Sequence, residues 1–470
     1  MKEKTNIRKE AICAGRITLP QAVKEILNRI GQAGFEAYAV GGCVRDSLLG
    51  REPQDWDITT SALPAQVKEI FKRTIDTGIQ HGTVTVMIDH VGYEVTTYRI
   101  DGEYEDARHP REVSFTASLL EDLKRRDFTI NAMAYNEEAG LVDAFDGMRD
   151  IKEKIIRCVG EARCRFEEDA LRMMRAVRFS AQLGYEIEEE TTKAIKELAP
   201  NLKKVSVERI QAELIKLLES EHPDYLRKAY ETGLTAVFFP EFDEAMKTPQ
   251  NHPHHCYGVG EHILHSLNWV KPNRVLRLTM LLHDIGKPRV RRIGEDGFDH
   301  FYGHGDVGEK MARDIMKRLR MDNDTIEKVC RLVKYHDLRP AVRSVAAAEA
   351  GMKAEIRAVK RAIVKVGPPL FDLFLQVQQA DLLAQGSYLR EEKQKALDRV
   401  RQIYHKILAE GDCLTLRDLA VTGKDLLAAG MKPGKEMGEL LKRLLEYVLE
   451  NPECNRKEEL LDLAQQWRKH

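Results

Sequence analysis

No apolar run in this 470-residue chain approaches the length of about 18 residues that a helical membrane span needs, so no such span is expected. The opening segment MKEKTNIRKEAICAGRITLP lacks the apolar core of a secretory signal. Eight cysteines are scattered with no CxxC pair, which excludes a dense disulfide framework and reads as a reduced chain, with the cytoplasm as expected location. An excess of either charge is also missing. The 74 Lys and Arg stand against 75 Asp and Glu, a net charge of −1, which argues against coating nucleic acid through bulk charge while leaving room for local basic surfaces. No short repeat or low-complexity tract appears. What is present is 43% hydrophobic and 32% charged residues, enough apolar material for packed cores in about three domains.

Strand and helix signals mix over the first 150 or so residues. AVKEILNRIGQAGF has the spacing of an amphipathic helix, YAVGG is a short apolar strand, and DWDIT, TVTVMID and YEVTTYRI are β-branched runs between turn residues. The polar segment from Asp101 to Val113 has neither period and reads as a loop. After about Ile151 the pattern is helical to the end, with boundaries expected near Thr248–Tyr257 and Gln385–Leu389. The fold class expected is α+β. Residues 1–150 form a head, 151–248 a helical neck and body, 249–385 a metal domain and 386–470 a helical tail.

The head carries the sharpest local signal. Gly41 and Gly42 follow a strand and open a helix, where backbone amides can approach phosphate and Arg45 can add charge-assisted hydrogen bonds; Asp46 can pair with it or cap the turn. Asp55 and Asp57 are two apart in a strand-like stretch, so both carboxylates share a face while Trp56 points to the core. Two hard oxygen ligands suit Mg²⁺, with Glu94 on a neighbouring strand as a candidate third. Alone, a DxD is weak evidence and fits a surface turn better.

GGCVRD with DWD, then RRDFTINAMAYN, then EDALRMMRAVRF, in this order over roughly the first 220 residues, resemble the class II tRNA nucleotidyltransferase and poly(A) polymerase family, whose head is of the DNA polymerase beta type. The resemblance implies addition of nucleotides to an RNA 3′ end without a nucleic-acid template. It implies Asp55 and Asp57 as catalytic Mg²⁺ ligands, Gly42 and Arg45 as triphosphate contacts, and Arg126, Asp127 and Asn131 as contacts to nucleotide and ribose. Asp169 and Arg172, at i,i+3 on one helix face, would read the amino group and ring nitrogen that cytosine and adenine share; Arg175 and Arg178 continue the stripe as nucleotide contacts. The same spacing fits a plain salt bridge. In SVERIQAELIKLL, Arg209 and Glu213 read as ties between helices. The loop YRIDGEYEDARHPREVSF resembles that of members adding all of CCA, and the C-terminal end is not strongly basic as in poly(A) polymerases.

Further on, His283-Asp284 lies in an apolar helix, where an ionised Asp needs a partner or a metal. With His262 upstream and Asp381 downstream, the order resembles the HD phosphohydrolase domain, with His304 and His336 at positions that supply further ligands. The ion is left open between Mg²⁺ and a transition metal, and the site between an active hydrolase and a remnant that helps to hold tRNA. His252, His254, His255 and Cys256 fit no zinc-finger spacing and read as a loop, with His255 a candidate substrate contact. From Lys271 to Arg292 seven basic residues face one acid, Asp284, and Lys287–Arg292 reads as a phosphate-holding surface. The tail is expected to lean on tRNA, with Leu440 to Val448 as core. The function expected is CCA addition to the tRNA 3′ end from CTP and ATP. Within the class, a poly(A) polymerase or a partial CC- or A-adding enzyme is the rival; outside it, an HD phosphohydrolase whose head only binds nucleotide.

Overall fold

The computed structural model describes residues 17–101, 113–342 and 349–468. The opening segment and most of the loop expected between Asp101 and Val113 lie outside the described residues. The chain forms two compact units, one up to Phe238 and one from Phe239. No helix among the described residues is long and apolar enough to cross a membrane.

Among the described residues nine strands belong to the head: β1 (Ala37–Val40), β2 (Ile58–Thr60), β3 (Thr74–Gly78), β4 (Thr83–Ile88), β5 (Val91–Thr97), β6 (Arg99–Asp101), β7 (Val113–Phe115), β8 (Met133–Asn136) and β9 (Gly140–Asp143). Seven make one sheet in the order β3-β4-β5-β2-β1-β8-β9, and β6 pairs with β7. The first helix, Gln21–Gln32, buries Val23, Ile26, Leu27 and Ile30, the helical spacing read in the sequence.

Pairing direction is what assembles the site. β1 runs antiparallel to both β2 and β8. The end of β1, which Gly41 and Gly42 follow, therefore lies beside the start of β2, which Asp55 and Asp57 precede, and beside the start of β8, which follows RRDFTIN. Two backbone bonds fix this meeting point: Val40 N–H donates to Asp57 O at 3.0 Å and Gly41 N–H to Met133 O at 3.1 Å. β5 runs parallel to β2 with Val95 opposite Ile58, so one step back along both strands Glu94 falls beside Asp57.

Beyond the head the first unit is helical, and so is nearly all of the second. Two short strand pairs interrupt the expected all-helical run: Ile155–Ile156 with Glu186–Ile187, and Arg292–Ile293 with Asp299–His300. At two residues each they are too short to show a period. In the second unit one apolar core joins residues on both sides of the expected boundary near Gln385–Leu389. Phe371 on the helix Phe371–Ala384 packs at 4.8 Å against Tyr404 on the helix Arg390–Glu410, and the same core takes in Leu440, Leu444, Leu445 and Val448.

Candidate active site

At the shared end of the sheet, Gly41 adopts φ +82°, a conformation that favours glycine, and a Cβ there would meet Arg126 Nη1 at 3.1 Å. The helix Gly42–Leu48 starts at this turn. Arg45 is buried, donates from Nη1 to Asn131 Oδ1 at 2.6 Å, and pairs with Asp46 through Nε at 2.9 Å. Asn131 in turn donates to Asp127 Oδ1 at 3.2 Å. Asp55 and Asp57 stand in the irregular segment just ahead of β2 rather than within it, with exposed side chains, and Trp56 between them packs on the head core. Desolvation and Asp55 raise the Asp57 carboxyl against the pull of Arg126; Glu94 is raised by desolvation and by Asp57 and Asp55. Three carboxylates that repel one another at one sheet end form a hard-oxygen set that a divalent cation relieves.

The helical segment after the head differs from the expectation in one respect. Asp169 and Arg172 do not share a helix face. Asp169 is extended, with φ −142° and ψ 103°, between the helices Ala162–Glu168 and Leu171–Leu183. Its Oδ1 accepts Leu171 N–H at 3.0 Å, and its Oδ2 accepts Arg209 Nη2 at 2.7 Å. The backbone break costs little because the Asp side chain supplies the first-turn acceptor that the second helix needs. Arg172 is buried against Glu168 at 2.5 Å and the Arg125 carbonyl at 3.0 Å. Arg175 donates from Nε to Asp127 Oδ2 at 2.8 Å, and Arg178 pairs with Glu213. Arg209 and Glu213 thus tie helices together, as read from the sequence.

The sequence reading missed two groups here. Phe179 is an aromatic plate under three arginines, with the guanidinium carbons of Arg45, Arg175 and Arg178 at 5.0, 5.3 and 3.7 Å from its ring centre. Asp122, fully buried, holds Arg125 at 2.8 Å and Arg126 at 3.4 Å and accepts from Thr59 at 3.0 Å. Its i,i+3 and i,i+4 spacing to the Arg pair was the available signal.

Asp127 gives a direct test of this network. Burial alone would raise its carboxyl, but Arg175, Arg172 and the Asn131 amide hold it at about 2. A depressed folded value means stability that is complete above the unfolded value of about 3.9 and is lost as pH falls through the folded one. The wild type should lose about 2 kcal/mol from this group between pH 5 and pH 2. Denaturant melts should show a smaller loss over that range in Asp127→Asn, and equal losses would contradict the assignment.

The second unit brings together all six residues of the second constellation. His262 sits on the helix Val259–Leu267, His283 and Asp284 at the end of Arg274–Leu282, His304 at the start of His304–Arg318, His336 at the end of Asn323–Tyr335, and Asp381 on Phe371–Ala384. Gly286 permits the crossing, since a Cβ there would run into His304 O and come within 2.6 Å of Gly308 N. Among the described residues two triads have ligand atoms within 4.8 Å of one another: His262, His283 and Asp284, and Asp284, His304 and His336; the head carboxylates form no such triad. Asp284 serves both. Its Oδ2 lies 3.6 and 3.3 Å from the Nε2 atoms of His262 and His283, and its Oδ1 3.6 and 3.5 Å from those of His304 and His336. Asp381 Oδ1 stands 3.0 Å from His262 Nε2.

The chemistry of this set fits a metal. Nδ1 of His283, His304 and His336 lies 2.7, 2.8 and 2.7 Å from a backbone carbonyl, which accepts only, so each Nδ1 carries the proton. A neutral ring so held presents a bare lone pair at Nε2. Yet Nε2 of His283 and His262 approach to 3.2 Å, and those of His304 and His336 to 3.1 Å. The His304/His336 pair, with both protons on Nδ1, needs a positive centre, a shared proton or a metal ion; His262, with Nε2 3.0 Å from Asp381 Oδ1, can meet His283 with its proton on Nε2. Asp284 Oδ2, buried, faces His283 Nε2 at 3.3 Å from one side and Lys287 Nζ, at 2.7 Å, from the other. Its carboxyl is held well below the usual range despite burial, chiefly by His283 and Lys287.

The basic run Lys287–Arg292 is only partly a free surface. Lys287 is buried with Nζ 2.7 Å from Asp284 Oδ2, while Arg289 pairs with Glu244 and Arg291 with Asp299, each at 2.9 Å. His252, His254 and His255 line the same cavity as Asp284, His304, His336 and Asp381, and the His255 ring meets that of His262 edge-on at 5.4 Å.

Residues 37–157 match the Poly A polymerase head domain, 184–246 the RNA and SrmB-binding site of polymerase A, and 301–464 tRNA nucleotidyltransferase domain 2. A CCA-adding enzyme of Limosilactobacillus fermentum is 38% identical over 450 residues, which cover 95% of this chain and 98% of that protein. The chain belongs to the CCA-adding enzyme family. Another CCA-adding enzyme, from Leuconostoc mesenteroides, is 56% identical over 203 residues, spanning 43% of this chain and about half (51%) of that relative's length. The crystal structure of the Bacillus stearothermophilus CCA-adding enzyme in complex with CTP superposes with a TM-score of 0.69 at 31% identity, over 96% of this chain and 98% of that one. The identical stretch of highest density thus falls on less than half of the chain, whereas the fold of a CCA-adding enzyme extends over nearly all of it.

Proposed function

We propose that this chain adds C, C and A to the 3′ end of tRNA, drawing on CTP and ATP and releasing pyrophosphate. The observation that carries this reading is the convergence of the Gly41-Gly42 turn, the Asp55/Asp57 pair and the Arg126–Asn131 segment at one end of the head sheet. The tRNA 3′-oxygen forms a bond to the α-phosphorus, and the bond from that phosphorus to the pyrophosphate oxygen breaks. Gly42 and Arg45 hold the triphosphate. Arg126, Asp127 and Asn131 take the ribose and the nucleotide, Arg175 and Arg178 stiffen that cradle over Phe179, and Glu94 completes the carboxylate set. Magnesium held by Asp55 and Asp57 would supply charge stabilisation to the reacting phosphate oxygens.

Base choice rests on Asp169 and Arg172. A carboxylate has about four lone-pair sites, so Asp169 can accept from the amino group of cytosine or adenine while keeping Arg209. Arg172, anchored by Glu168 and by the Arg165 and Arg125 carbonyls, would donate to the ring nitrogen from its five-donor guanidinium. Uracil and guanine would leave these groups unpaired. Asp169→Ala should therefore lower the preference for CTP over UTP by about 10-fold or more, on the order of 1.4 kcal/mol, measured as the ratio of kcat/KM values. Unchanged rejection of UTP would contradict the role.

The second constellation is a divalent metal site built by His262, His283, Asp284, His304, His336 and Asp381, and phosphohydrolysis is the activity its ligand set supports. A bound divalent ion there would supply Lewis acidity toward a phosphoryl oxygen. Water would add to phosphorus and the ester P–O bond would break, giving the free alcohol and inorganic phosphate.

A further inference from the structure

The cavity over the second constellation, about 800 Å³, is ringed by more cations than the six ligands require. Lys287 and Lys334 line it and are both neutralised: Lys287 by Asp284 at 2.7 Å, Lys334 by Asp306 and Glu309 at 3.1 and 3.0 Å. Lys393 is different. It comes from the helix Arg390–Glu410, beyond the last ligand in the chain, yet lines the same cavity as Asp284, His304 and Asp381. Its Nζ donates to the neutral amide oxygen of Gln385 at 2.7 Å. Gln385 Nε2 donates onward to Asp381 Oδ2 at 3.0 Å, so the lysine is positioned relative to the ligand set through one side chain. Arg339 shares the cavity wall with it and spends its pairing on Asp337, a surface partner at 3.0 Å. Lys393 and Arg339 also line a second, smaller cavity of about 130 Å³ together with Asp381 and Gln385, so both cations stand at the same corner. Burial, and then the like charge of Arg339, lower the Lys393 ammonium against the opposite pull of Asp381 and Asp337. A half-buried ammonium held by an amide, with a guanidinium on the same cavity wall, offers two cations to an anion.

We propose that Lys393, with Arg339, forms a subsite for the terminal phosphate of a phosphomonoester. This proposal rests on the reading of the six ligands as a phosphohydrolase site and names the substrate class of that site. The chemistry selects a monoester over a diester. A terminal phosphate carries about −1.5 to −2 charge and three acceptor oxygens at neutral pH, so it can satisfy two cations on one side and still present an oxygen to the ligand set. A diester carries a single charge on two free oxygens.

The test separates binding from hydrolysis. The full chain, without added metal, is titrated calorimetrically with ribose 5-phosphate and with dimethyl phosphate. Wild type should bind the monoester about 10-fold or more tightly than the diester. Lys393→Gln should lose that preference and Lys393→Arg should keep most of it, while the second unit of both melts at the wild-type temperature, which certifies its fold. No binding of the monoester, no preference in wild type, or a preference that survives Lys393→Gln would each overturn the proposal. Hydrolysis of ribose 5-phosphate with added Mn²⁺ or Mg²⁺ is scored separately. Preferential binding without turnover would leave the subsite standing and remove the hydrolytic reading alone.

Discussion

Asp57→Ala should reduce nucleotide addition by about a thousandfold or more, a loss of about 4 kcal/mol in transition-state stabilisation, at concentrations where tRNA binding is unchanged. Asp55→Ala should do the same. The expectation follows from where these carboxylates sit. Asp57 is the residue whose backbone carbonyl accepts from Val40 at 3.0 Å, so its side chain leaves the sheet beside the Gly41-Gly42 turn. Both side chains are exposed, and neither belongs to an apolar cluster. Their removal should therefore leave the melting temperature close to that of wild type, which separates a catalytic loss from an unfolded head. Single-turnover extension and filter binding on the same preparations measure the two quantities. Persisting transfer in either variant would remove the carboxylate pair from the mechanism.

The second large effect is expected from Asp284→Asn. This side chain is 1% exposed and is the shared member of both ligand triads. The amide lacks the negative charge that a divalent ion among these side chains needs, so the divalent content of the purified chain should fall close to zero. It also leaves Lys287, 6% exposed, without its carboxylate. Breaking a buried ion pair from one side costs about 3–5 kcal/mol, so the second unit should melt markedly earlier. Every residue assigned to nucleotide transfer lies before Phe238, and CCA addition should survive below that melting point. Elemental analysis and calorimetry check the first two expectations, and full metal content in the variant would contradict the site.

Much of this was legible because the chemistry is carried by short contiguous motifs. Gly41-Gly42, Asp55/Asp57 and Arg126–Asn131 are each local in sequence, and antiparallel pairing of β1 with its two neighbours suffices to bring them together. The six clustered residues were also named from the sequence, although His262 and Asp381 are 119 residues apart: an acid in an apolar helix marked His283-Asp284, and the resemblance to the HD domain supplied the other four. Asp169 was not. RFEEDALRMM continues a helical pattern with no Pro or Gly to mark a break, so the extended residue between two helices gave no signal. Lys287–Arg292 reads as a basic surface because its neutralising partners Glu244 and Asp299 lie outside the run. For the same reason REEKQKALDR reads as a solvated helix, and only packing reveals that Lys393 turns toward the cavity while its neighbours do not. Phe179 was hidden in a different way, since a buried aromatic on a helix normally signals core and nothing in its spacing announces three arginines.

The central claim is tested most directly by extension of a tRNA transcript that lacks its 3′ CCA, with products separated at single-nucleotide length. With CTP alone the product should stop at two added residues, and with CTP and ATP together at three. A long ladder with ATP alone would make the chain a poly(A) polymerase, arrest at two residues with both nucleotides present would make it a CC-adding enzyme, and no extension under any condition would contradict nucleotide transfer by the head.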